Sequence, residues 1–198
     1  TGSTTSTGEY SPVDQLIGVL GGGADIWRLN VAIDSEVNGG TEDDSIIGSD
    51  GNDSIAGGAG ADTVVSGGGD DTLVGAQGDD NLSGGEGSDT YQLVPGSDKT
   101  ITELTDGGID TIDYSLVTTS TAGDTGITHD LTIIGVQTVD GNGNTVTAFG
   151  TFENLIGTQF NDTLTGDDAN NLLEGGDGSD VLVSGGGADT IFGGAGSE

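Results

Sequence analysis

Aspartates recur in this chain at a fixed interval, each set among glycines. From Gly39 to Gln92 the sequence divides without a gap into GGTEDDSII, GSDGNDSIA, GGAGADTVV, SGGGDDTLV, GAQGDDNLS and GGEGSDTYQ. The sixth place is always aspartate, as Asp44, Asp53, Asp62, Asp71, Asp80 and Asp89. The eighth is always apolar or aromatic, as Ile46, Ile55, Val64, Leu73, Leu82 and Tyr91. A second tract starts at Gly157 with GTQFNDTLT, GDDANNLLE, GGDGSDVLV and SGGGADTIF, whose sixth places are Asp162, Asn171, Asp180 and Asp189. An outlying copy, LGGGADIWR, ends at Arg28 and carries Asp25 and Trp27 in the same two places. Carboxylates in phase with glycine carbonyls can bind a hard cation through oxygen. HExxH and GxSxG are both missing, so the chemistry on offer is binding, with no catalytic residue expected.

The pattern resembles the RTX (repeats-in-toxin) nonapeptide GGxGxDxUx, over roughly half of the chain. A linker has no reason to place Ile, Val or Leu in phase with Asp. The resemblance implies an all-β fold, a right-handed parallel β-roll in which six residues turn, three form a strand and two nonads make one coil. Glycines at the first, second and fourth places permit positive φ and let carbonyls converge. The eighth side chain can then point into a narrow interior. Calcium, with six to eight oxygen ligands in flexible geometry, suits such turns better than octahedral magnesium.

The expected metal ligands are Asp44, Asp53, Asp62, Asp71, Asp80, Asp89, Asp162, Asn171, Asp180 and Asp189, with the turn glycines Gly58, Gly60, Gly67, Gly69, Gly85, Gly87, Gly176, Gly178, Gly185 and Gly187. Because a coil spans two nonads, Asp44, Asp62 and Asp80 should line one edge and Asp53, Asp71 and Asp89 the other. Asp162 should stack on Asp180, and Asn171 on Asp189. Glu42 in the fourth place of the opening nonad, and Asn171 and Ala169 in theirs, mark the two weakest repeats. Glu198 falls in the sixth place of the incomplete last nonad and is not expected to be a ligand.

Composition points the same way. Two basic residues face 34 acidic ones, a formal net charge of −32. Such a charge repels phosphate, so nucleic acid and anionic membrane are excluded as expected partners and calcium is favoured. No cysteine is present, which removes disulfides and thiolate metal sites. Forty-one glycines make ordering the backbone expensive, and each nonad offers one principal apolar side chain against that loss. Folding is therefore expected to require the ion. No run of 18 apolar residues exists, so no membrane insertion is expected. The chain also lacks methionine, which suggests a piece of a longer protein with neighbouring domains.

Four regions follow: residues 1–38, an N-terminal segment with the outlying repeat at 20–28; 39–92, the first roll; 93–156, a β connector; and 157–198, the second roll. The nine-residue frame is lost in the connector, although GGIDTIDYS keeps the triplet Asp110 to Ile112. LTIIGVQTV and TVTAFGTF read as two strands around a hairpin tip at Asp140 to Asn144. That tip mimics the start of an EF-hand loop, but Thr151 stands where the bidentate glutamate belongs, so a plain turn is expected. His129, the only histidine, is expected on the surface, since no companion would make it a base. Residues 1–38 begin with a Thr/Ser/Gly-rich stretch expected to be disordered, and Trp27 is expected as an end cap or interior residue.

The resemblance implies a secreted module, extracellular or at the cell surface and exported by a type I route, structural in an adhesin or surface protein. The alternatives are an accessory module of an extracellular protease, lipase or alginate epimerase, or a glycan- or ice-binding surface using the seventh places, which include Thr63, Thr72 and Thr90 but also Asn81 and Val181.

Overall fold

A computed structural model describes residues 15–94, 96–104, 108–117 and 126–196. The Thr/Ser/Gly-rich start and Glu198 lie outside the described residues. Strands form at the seventh to ninth places of each nonad, where β-branched and aliphatic residues cluster and the central one turns inward. One face is a nine-stranded sheet of Gln15–Gly22, Asp34–Thr41, Ser54–Ala59, Thr72–Gln77, Thr90–Gln92, Thr111–Asp113, Asn154–Ile156, Leu172–Glu174 and Thr190–Phe192, stacked in that order. All of its pairings are parallel. Strands adjacent in space are separated in sequence by a whole coil, so the chain winds as a parallel β-solenoid.

The opposite face is divided. Ile26–Arg28, Ser45–Ile47, Thr63–Gly68, Asp80–Glu86, Lys99–Thr102 and Thr145–Phe149 form one parallel stack, ending in an antiparallel strand, Gly135–Thr138. Thr128–Asp130, Thr163–Thr165 and Val181–Val183 form a second. The hairpin between Gly135–Thr138 and Thr145–Phe149 has its tip at Asp140 to Asn144, and Asp140 Oδ1 accepts the backbone N–H groups of Asn142 and Asn144, both at 3.0 Å. The tip is a turn closed by its own aspartate.

The core is built on a file of eighth-place side chains, with Val37, Leu93, Tyr114 and Phe152 among the other residues buried with them. Ile46, Ile55, Val64, Leu73, Leu82 and Tyr91 are fully buried, and Ile101, Ile112, Ala148, Leu155, Leu164 and Leu173 extend the file. The lost frame between residues 93 and 156 is thus not a lost coil. Lys99–Thr102, Thr111–Asp113 and Asn154–Ile156 keep the strand triplet in register with the coils on either side. Ile191 and Phe192, in the last strand of the nine-stranded sheet, are exposed. At the N-terminal end Trp27 is half-buried and lies across Gly18.

His129 is corrected by the structure: it is buried, not on the surface. It pairs with Leu164 in strand register, which turns its ring inward, and Nδ1 lies 2.7 Å from the Tyr114 hydroxyl. Gln137 Nε2 stands 3.4 Å from its other ring nitrogen. Burial holds the imidazole down at about 4, against an ordinary value of 6.5. It is a neutral member of the core.

Candidate metal centre

The sixth-place side chains fall into rows because each coil advances by 18 residues. In the first row Asp44 Oδ1 accepts the backbone N–H of Asp25 at 2.8 Å, Asp62 that of Asp44 at 2.8 Å, and Asp80 that of Asp62 at 3.1 Å. In the second Asp53 accepts from Ser35 at 2.7 Å, Asp71 from Asp53 at 2.7 Å and Asp89 from Asp71 at 2.9 Å. Further along, Asp180 accepts from Asp162 at 2.9 Å and Asp189 from Asn171 at 3.0 Å. One oxygen of each carboxylate is therefore used to clamp the preceding coil.

The other oxygen has two distinct surroundings, and the second place of the nonad decides which. Where that place is glycine with positive φ, as Gly40, Gly58 and Gly176 have before Asp44, Asp62 and Asp180, Oδ2 is buried and meets no hydrogen-bond donor among the described residues. Where it is another residue with ordinary φ, its own N–H turns to the sixth-place oxygen. Ser49 donates to Asp53 Oδ2 at 2.9 Å, Thr158 to Asp162 Oδ2 at 2.6 Å and Asp167 to Asn171 Oδ1 at 2.9 Å. Turns of the second kind satisfy themselves, whereas those of the first kind leave an anion without a partner.

The first-place glycine forms the wall of the same space. A Cβ added at Gly39 would lie 2.5 Å from Asp44 Oδ2 and 2.3 Å from the carbonyl oxygen of Gly57 in the next coil. At Gly175 the corresponding distances are 2.4 Å to Asp180 Oδ2 and 2.6 Å to the Gly193 carbonyl. Carboxylate and carbonyl oxygens from two coils thus converge beside Gly39 and Gly175, where a Cβ would not fit; at the same place in another nonad Ser66 is accommodated, its hydroxyl donating to the Gly84 carbonyl at 2.7 Å. The glycines named above, Gly58, Gly60, Gly67, Gly69, Gly85, Gly87, Gly176, Gly178, Gly185 and Gly187, all have positive φ, and each packs against a carbonyl one coil earlier, 1.9 to 2.7 Å from where a Cβ would stand. Glu42 at φ 76° holds the fourth-place conformation without being glycine.

Electrostatics make the same point. Burial pushes the carboxyls of Asp71 and Asp80 up to about 6, and raises those of Asp44, Asp62 and Asp162 above the ordinary value of 3.8. Water has been taken from these groups without an equal return. An all-oxygen donor set, buried and in excess of its hydrogen-bond donors, fits a hard divalent cation.

Several contributors escaped the sequence reading. Asp110 extends the second row, its Oδ1 accepting the Asp89 N–H at 2.9 Å. Glu103, Asp89 and Asp110 bring carboxylate oxygens within 4.8 Å of one another in a buried cluster. Burial first, and then the neighbouring carboxylates, push Glu103 up to about 8, and the Tyr91 hydroxyl bonds to it. The fifth places form a ladder running the other way. Asp43 Oδ1 accepts the Ala61 N–H at 2.8 Å, Asn52 that of Asp70 at 3.0 Å and Asn161 that of Ser179 at 2.8 Å, each reaching to the following coil. The recurrence of Asp, Asn and Ser at the fifth place was the available signal.

A parallel β-solenoid with oxygen-lined turns between its coils is the class that this fold and site define. The family model for the RTX calcium-binding nonapeptide repeat matches residues 38–73, 57–91, 65–98, 148–182 and 165–197, which together cover more than half of the chain. The chain belongs to this RTX calcium-binding repeat family, and calcium is the ion of its repeats. No curated protein matches it.

Proposed function

We propose that calcium is held between stacked coils by the sixth-place carboxylates Asp44, Asp53, Asp62, Asp71, Asp80, Asp89, Asp162, Asp180 and Asp189, together with carbonyls of the glycine turns, and that the chain is a calcium-dependent structural module of an exported protein. The observation that carries this reading is the buried Oδ2 of Asp44, Asp62 and Asp180, which meets no hydrogen-bond donor among the described residues. An ionised oxygen buried in that state is strongly unfavourable unless a cation faces it. Bound calcium supplies positive charge between the rows and cross-links consecutive coils. In the glycine turns the residues' own part is to clamp each coil through Oδ1 and present Oδ2 to the ion, whereas Asp53 and Asp162 face the ion with an Oδ2 that already accepts the N–H of Ser49 or Thr158. Asn171 offers only a neutral oxygen, and its Nδ2 donates to the Glu153 carbonyl at 2.9 Å, so its level depends least on calcium.

Folding outside the cell, in a surface protein or adhesin, is the setting that family membership supports. A chain of charge −32 whose anions repel one another stays open where calcium is scarce and closes where it is abundant. Calorimetric calcium titration of the wild type and of an Asp62→Ala, Asp71→Ala double variant tests the ligand assignment. The variant should lose bound calcium and cooperativity in the first tract while retaining the second. Unchanged stoichiometry would refute the assignment.

A further inference from the structure

The first row of carboxylates ends on the chain's only lysine. Lys99 pairs with Asp80 in strand register, so it stands where the next sixth-place carboxylate belongs. The fifth-place ladder agrees, since the Asp98 N–H bonds to Asp79 Oδ1 at 3.1 Å, as fifth places do elsewhere. The second row has no such break, because Asp110 follows Asp89 there.

Lys99 does not turn outward. Its side chain is 1 % exposed, and Nζ lies 3.2 Å from Asp80 Oδ2. The same ammonium donates to the Gly78 carbonyl at 2.5 Å and to Ser97 Oγ at 2.6 Å. Gly78 is the fourth-place turn glycine of the Asp80 nonad, so the lysine binds one carboxylate and one turn carbonyl of the kind offered to calcium elsewhere. Its methylenes also occupy the wall: a Cβ at Gly75 would lie 3.1 Å from Lys99 Cε, where Gly39 instead meets the Gly57 carbonyl. Among the described residues Asp44 and Asp62 in the two preceding levels have, like Asp80, an Oδ2 that accepts no hydrogen bond, but Asp80 Oδ2 has the Lys99 ammonium within ion-pair distance. Beyond Lys99 the register partner is Val146, which has no charge to offer.

We propose that Lys99 is a built-in cation that takes the place of calcium at the last interval of the Asp44, Asp62, Asp80 row and so ends that row. This rests on the reading that sixth-place aspartates hold calcium. An ammonium has three donors and a compact charge, enough to donate to the Gly78 carbonyl and Ser97 Oγ while facing Asp80 Oδ2 as an ion pair. A divalent ion on the same oxygens would stand against that charge, so the two exclude each other. The ammonium is covalently attached, so this level closes at any calcium concentration at which the neighbouring coils are formed. The hairpin strand Thr145–Phe149, which stacks on Lys99–Thr102, is thereby joined to the calcium-bound coils through a level that needs no ion.

Native mass spectrometry of the whole chain at saturating calcium counts the ions in the wild type, Lys99→Asp and Asp62→Ala. Lys99→Asp restores the repeat's carboxylate and should bind one ion more than the wild type. Asp62→Ala should bind fewer. An unchanged count in folded Lys99→Asp, with a loss in Asp62→Ala, overturns the lysine's role and leaves the ligand reading standing; no loss in Asp62→Ala overturns the ligand reading itself. Amine acylation of the wild type gives a second readout that needs no variant to fold. In calcium Lys99 should react at least ~10-fold more slowly than N-acetyl-lysine amide, as a buried group released only by local opening does. Reaction at the rate of the free amine would show the side chain displaced, and would overturn the proposal.

Discussion

Changing Gly57 to alanine adds one methyl group at the point where the metal reading is most exposed. The new Cβ would lie 2.5 Å from Asp62 Oδ2, 2.9 Å from Asp62 Cβ and 3.0 Å from Asp62 Cγ. Ordinary contact begins at 3.4 Å, so the carboxylate must retreat by about 0.9 Å. If it rotates away, it surrenders the Asp44 N–H that Oδ1 accepts at 2.8 Å as well as its place among the turn oxygens. Overpacking of this kind costs about 1–3 kcal/mol. Charged to calcium binding at that level, this is a loss of about 5- to 150-fold in affinity. Gly68→Ala is the matched control. Its Cβ would meet nothing closer than Glu86 Cβ at 3.6 Å, and its φ is not left-handed. Fewer unfolded conformations should make that variant more stable by about 0.4–1 kcal/mol. Chelator-competition titrations of both proteins read the difference directly. If Gly57→Ala binds calcium as the wild type does, the first-place glycine is not the wall of a metal site and the reasoning fails.

Two further outcomes follow from buried groups in the core. Burial holds His129 at about 4 against 6.5, so its contribution to stability is fully present above pH 6.5 and is lost as pH falls toward 4, amounting to about 3 kcal/mol over that range. The difference in unfolding free energy between wild type and His129→Gln, measured at saturating calcium, should shrink across that window; a pH-independent difference would contradict the assignment. Tyr91→Phe removes the hydroxyl that accepts the Gly84 N–H at 2.6 Å and bonds to Glu103, and stranding those groups should cost about 1–3 kcal/mol. A urea midpoint equal to that of the wild type would show that the cluster finds other partners.

The periodic part of the fold was legible because two chemistries repeat together. A sixth-place aspartate such as Asp62 recurs in every complete nonad but that of Asn171, and an apolar or aromatic eighth place such as Val64 recurs in all, so both the row and the core file could be read from spacing. Lys99 and Asp110 were not legible as members of the carboxylate rows, because one extra residue before Lys99 and three before Asp110 shift the frame while strand register is restored by backbone pairing. His129 was misread because its type suggests a wet surface, whereas its partners Tyr114 and Gln137 come together only in three dimensions. The two kinds of turn escaped as well. Ser49 and Gly58 both occupy a second place, and only the sign of φ reveals that one sends its N–H to the carboxylate and the other does not.

Far-UV circular dichroism during a calcium titration tests the central claim most directly. Carboxylates placed in buried rows without cations should not hold the coils together, so the chain in chelator should show a coil spectrum and convert cooperatively to β structure as calcium rises. Superimposable spectra in chelator and in millimolar calcium would contradict the account.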